Sequence, residues 1–149
     1  MASLAAAGVT WAIYRSFRNE KLERKRSKAS ELKTLADELE SIARKLLHDL
    51  ERLSALAREN RQNTSDGSAL QERINENALQ LREKSVQLVN RPELSKPEGS
   101  ELREETEELY QVFATTLDQR TGSLEELHMK IEAFSREATN AEEKLAGWA

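Results

Sequence analysis

Leucines recur every seven residues through the first half of this chain, at Leu32, Leu39, Leu46 and Leu53. Leu35, Ile42, Asp49 and Leu56 fill a second line, and Ala36, Ala43, Leu50 and Ala57 widen the stripe on one side. Seven-residue spacing holds side chains on one helical face, so the pattern predicts an amphipathic helix with a seam to bury. The widened stripe favours a bundle over a bare two-stranded zipper. Asp49 interrupts it, which predicts imperfect packing or a wet helix end there.

No strong breaker lies between Gly8 and Gly67, and the residues between are good helix formers. The first helix is therefore expected to run from near the N-terminus to about residue 62. Asn60 to Ser68, with Asp66-Gly67 inside it, reads as a polar turn. A weaker helix follows over 68–90, with Leu70, Ile74, Ala78, Leu81, Ser85 and Leu88 along one face. Pro92, Pro97 and Gly99 mark a loop.

From Ser100 onward the pattern is helical again to about residue 146. Tyr110, Leu117, Leu124, Ile131, Ala138 and Leu145 form one line, and Phe113, Arg120, Leu127, Phe134, Ala141 and Trp148 the other. The phase runs straight through Gly122, which predicts one long helix and a three-helix bundle. The alternative is a break at Gly122, since Ser123-Leu124-Glu125-Glu126 is a capping box. That would give four segments and a four-helix bundle. No stretch combines β-branched enrichment with period-two alternation. The fold class is thus all-α: an elongated three- or four-helix bundle or coiled coil, preceded by an N-terminal apolar anchor helix.

The N-terminus breaks the amphipathic pattern. Met1 to Tyr14 carries no charged residue. From Arg15 to Lys28 come Arg15, Arg18, Lys21, Arg24, Lys25, Arg26 and Lys28, against Glu20 and Glu23, a local charge of +5. An uncharged end meeting a basic collar predicts a membrane contact, with Leu4, Val9, Trp11, Ile13, Tyr14 and Phe17 as the anchor. The run is short for a span, which needs about 20 apolar residues. If it spans as a transmembrane helix, the collar keeps the body on the cytoplasmic side. Residues 1–17 would then form the anchor segment, 18–31 a basic helical stalk and 32–149 the bundle, with helices at about 32–62, 68–90 and 100–146.

Composition narrows the chemistry. Only 38% of the 149 residues are hydrophobic and 34% are charged, which suits long helices with narrow buried stripes. The chain has no cysteine, which excludes disulfides and thiolate chemistry. Net charge is −4, so outside the collar the chain carries −9. An acidic body repels nucleic acid. The collar's charges read as spread around the helix, which argues against a groove reader.

Glu125 and His128 form Glu-x-x-His, as in di-iron bundles, but His48 has Lys45 where the second glutamate should stand. A surface histidine is the simpler reading, and neither a metal nor a cofactor is expected. His48 beside Asp49 lacks the nucleophile and third group of a triad. Asn63-Thr64-Ser65 matches a glycosylation acceptor, which matters only on the lumenal side. There is no phosphate-binding loop, dinucleotide fingerprint or His-Glu-x-x-His.

The expectation is therefore a non-enzymatic, membrane-associated scaffold or adaptor. It would bind protein partners or itself through leucine-rich faces, chiefly Leu32, Leu35, Leu39, Ile42, Leu46, Leu53, Leu56, Leu124, Leu127, Ile131 and Phe134. It would have no nucleic-acid partner and no small-molecule substrate. The competing expectation is a soluble or organellar subunit of a larger complex, with its apolar N-terminus packed on a neighbouring chain.

Overall fold

The computed structural model describes residues 2–60, 64–119 and 123–147, with side chains over 18–60, 64–118 and 123–147. The anchor side chains Leu4, Val9, Trp11, Ile13, Tyr14 and Phe17, with Arg15 of the collar, lie outside the described side chains. So do Asn63, Arg120, Gly122 and Trp148.

With no breaker after Gly8, one helix, α1, runs over Ala2–Arg58. At 1.5 Å per residue it is about 85 Å long. It ends in a turn where Asn60 adopts a left-handed φ of 57°, and the Asn60 amide donates to the Ala57 carbonyl at 3.2 Å. Asparagine tolerates this backbone better than most residues.

Helix α2 spans Ser65–Val89. It starts three residues before the expected boundary because Thr64 caps it, its hydroxyl accepting from the Gly67 amide. Asp66-Gly67 is thus the first turn of a helix and not a loop. Two short 3₁₀ turns, Pro92–Ser95 and Pro97–Gly99, carry the chain into α3, Ser100–Gln119. Helix α4 covers Leu124–Ala146, with Ser123 as its cap accepting from the Glu126 amide at 3.4 Å. The expectation of one long last helix is corrected: it is two. Among the described residues there is no strand.

The four helices alternate in direction. Lys84 reaches Glu38 and Arg73 reaches Asp49, so α2 runs antiparallel to α1. Lys130–Glu108 and Lys144–Glu101 show the same for α3 and α4. Helix α1 packs against α2 and α4, and α3 packs against the same two from the opposite corner.

The core is built from one stripe per helix. On α1 the deepest lines are Leu32, Leu39 and Leu46 together with Ala29, Ala36 and Ala43, all at 1% exposure or less. The second line is therefore alanine, and Leu35, Leu53 and Leu56 flank the core half-buried. Small residues let α1 approach two neighbours closely, which leucines in that line would prevent. Ala57 is exposed, so the stripe stops short of it. Helix α4 contributes Leu127, Ile131, Phe134, Ala138 and Ala141, with Leu124 half-buried beside them. Helix α3 contributes Leu102, Leu109 and Phe113, with the buried Thr106 hydroxyl donating to the Leu102 carbonyl at 2.7 Å.

Asp49 is neither a packing gap nor a wet end. It is buried and accepts from Arg73 at 3.3 Å and Asn77 at 3.2 Å, both on α2.

Candidate functional site: a projecting basic helix and an open groove

The bundle covers α1 only from Ala29 onward, its first buried residue. Residues 18–28 are exposed except half-buried Leu22. Over these residues, about 16 Å of helix, α1 runs on past the bundle, and the helix itself continues to Ala2. What fixes the exit point is the connection between α2 and α3. Leu94 inserts into the core from that connection, and Arg91 bonds Glu31 of α1 at 3.3 Å and buried Glu93 at 3.0 Å. Gly99 closes the turn: a Cβ there would meet the Glu93 carbonyl oxygen at 2.3 Å.

The helical step of 100° per residue orders the collar charges. Arg18, Lys21, Lys25 and Lys28 fall within an arc of about 80°, and Arg24 and Arg26 flank it. Glu20 and Glu23 both turn to the far side. The reading of the collar as evenly spread is thus corrected: once α1 is a single helix, it has a basic face and an acidic back. That face continues the side of α1 that carries Leu32 and Ala36 lower down, so it overhangs the end of the bundle.

Among the described residues no helix is long and apolar enough to cross a membrane. The expectation of a transmembrane helix is therefore not met. Within this sequence the uncharged run gives way to Arg15 and Arg18.

A second feature lies between α2 and α3. Here a groove of about 340 Å³ opens, lined by Arg82, Ser85, Val86, Val89, Thr106, Glu107 and Tyr110, with Asn90 at its end. Val86 is 52% exposed and Leu79, one heptad earlier on the same face of α2, is 57% exposed. Ser85 is 6% exposed and its hydroxyl has no hydrogen-bond partner among the described residues. Leaving a buried hydroxyl unpaired costs about 1–3 kcal/mol. Sequence reasoning placed Ser85 and Tyr110 on core lines and did not single out Leu79 or Val86. An apolar pair at i, i+7 off the core phase was the available signal.

The remaining polar contacts tie helices together. Glu108 holds Lys130 in its charged form, raising its pKa, through a hydrogen bond of 2.7 Å. Glu132 and Glu40 do the same for Arg44, at 3.0 and 3.1 Å. These pairs are partly exposed at the bundle surface, so each is worth about 0–1 kcal/mol. Glu137 is the opposite case. Burial pushes its carboxyl up, the neighbouring Glu101 pushes it further, and Lys144 only partly opposes them.

The histidines do not assemble a site. His48, Glu125 and His128 are all exposed. Among the described residues no three histidine or carboxylate side chains gather to hold a metal. No family model, curated protein or solved structure matches the chain.

Proposed function

We propose that this protein is a non-enzymatic tether: its N-terminus seats in a membrane interface, and its bundle presents faces to protein partners or to itself. The observation that carries the reading is the length of α1. It is one helix, yet among the described side chains the bundle buries it only from Ala29 onward; the basic face before that is exposed, and the apolar end precedes it in the same helix.

An upright helix would bring few of these charges to the surface. Lys28 would stand about 16 Å along the axis from Phe17, beyond the roughly 8 Å screening length at physiological salt. A tilted helix lays Arg18, Lys21, Lys25 and Lys28 on the headgroups together. Each basic residue near an anionic surface adds about 1 kcal/mol. The basic face therefore favours a leaning stalk on an anionic, cytoplasm-facing leaflet, with Trp11, Tyr14 and Phe17 at the interface. The acidic body is repelled by the same surface and stays in solvent.

The test is flotation with anionic vesicles, using the full chain and a chain lacking residues 1–17, at low and high salt. The full chain should float at both. The shortened chain should float weakly at low salt only. If neither floats, the tether reading fails, and the apolar end belongs against a neighbouring chain of a larger complex.

A further inference from the structure

The groove between α2 and α3 stands out in a chain that is one-third charged. On α2 its outer wall is Arg82, Val86 and Val89, with exposed Leu79 one heptad before Val86. On α3 it is Tyr110 and Glu107, with half-buried Ala114 beyond. Its two charged edges differ in sign and lie on different helices: Arg82 on α2, Glu107 on α3. Glu107 has a neighbour in Arg103 at 3.4 Å, whereas Arg82 has no acidic partner among the described residues.

We infer that this face is the interface of a two-fold homodimer, with a second copy of the chain as its occupant. A two-fold interface must be self-complementary, and this arrangement is so in one orientation. An axis parallel to the helices lays α2 on α3 of the other copy, and brings Arg82 towards the partner's Glu107. An axis across the helices lays α2 on α2 and brings the two arginines together. The favoured axis also sends both α1 stalks out from the same end, so that two anchors address one surface.

The area is sufficient. Two helices about 10 Å wide and about 30 Å long present roughly 600 Å² per copy. The total, about 1,200 Å², is the lower edge of stable interfaces. The buried, unpaired Ser85 hydroxyl lies beneath the same face.

The inference deepens the tethering reading by naming the face and its occupant. It rests on that reading only for the shared direction of the anchors; vesicle flotation reads the anchor, and sedimentation reads this face. The experiment is sedimentation equilibrium of the full chain in mild detergent, which occupies the apolar N-terminus. A monomer–dimer equilibrium is expected, weakened at least about tenfold in Kd by Val86→Glu. Val86 is half exposed, so the variant should keep its helicity and melting. Arg82→Glu should also weaken the dimer, and adding Glu107→Arg should restore it. A monomeric parent chain, or association untouched by Val86→Glu, overturns the inference. So does a monomer in which a spin label on Val86→Cys is immobilised, since the face is then covered by its own chain.

Discussion

Asp49 offers the sharpest test of how this core is held. It occupies a seam position between Leu46 and Leu53, its side chain is 9% exposed, and Arg73 and Asn77 satisfy it from α2. The partner arginine is 54% exposed. That asymmetry decides the magnitude. Removing one member of a fully buried pair costs about 3–5 kcal/mol because the other charge is trapped. Arg73 is not trapped and can turn to water. Asp49→Ala should therefore lose only two modest hydrogen bonds, about 1–2 kcal/mol. Asp49→Leu loses the same bonds but completes the leucine stripe, and burying that side chain returns about 1.5–3 kcal/mol. The leucine variant should match or exceed the parent, and exceed the alanine variant by about 1.5–3 kcal/mol. For a chain of this size that is roughly 6–12 °C in Tm, at about 4 °C per kcal/mol. Urea melts and thermal melts followed by circular dichroism give the two values in turn. In the Asp49→Leu background, Arg73→Ala should have little further effect. A leucine variant less stable than the alanine variant would refute the reasoning, for the position would then not accept apolar volume.

Two further outcomes follow from the connection and from the α3–α4 seam. Gly99→Ala drives a Cβ into the Glu93 carbonyl, which is backbone and cannot swing away, so a loss of about 1–3 kcal/mol is expected in the same melts. Glu137 has a carboxyl pKa raised by burial and by Glu101, so its ionised form is the one the fold disfavours. Its contribution is full at low pH, where the group is protonated in both states, and is lost as pH rises through its raised folded value. Glu137→Gln should therefore raise Tm by about 1–2 °C at neutral pH, with the gap closing on acidification. A gap that widened at low pH would reverse the assigned sign.

The helical class was legible because it depends on local quantities: helix-former content, the places where glycine and proline fall, and seven-residue spacing. Leu32, Leu39 and Leu46 on α1, and Leu127, Ile131 and Phe134 on α4, could be named as packing residues from spacing alone, and all six are buried. Spacing does not say where a helix stops. The phase across Gly122 suggested continuity, but two antiparallel helices that each turn a stripe to one core can keep a common phase without being continuous. The Ser123 cap marks a new helix start instead. Burial also depends on how many neighbours a helix has. Ile42 is buried as its spacing predicts, whereas Leu35 is only half-buried. Against α2 and α4 together, the line through Ala29, Ala36 and Ala43 becomes the deepest.

Polar residues divide the same way. Asp49 reads as a defect in a linear pattern, because its partners Arg73 and Asn77 lie more than twenty residues away and meet it only when α2 folds back. The basic face of the stalk, by contrast, was already written in the sequence, since a 100° step is enough to separate Lys21, Lys25 and Lys28 from Glu20 and Glu23. What no linear reading supplies is the end of the bundle at Ala29, because that boundary is set by where the α2–α3 connection and the end of α4 reach α1. The sequence determined a charged chain of amphipathic helices with an apolar, basic-collared end. The tertiary structure alone decided how much of α1 stands clear of the bundle, and left Leu79 and Val86 uncovered beside a groove, because both depend on contacts between segments far apart in the chain.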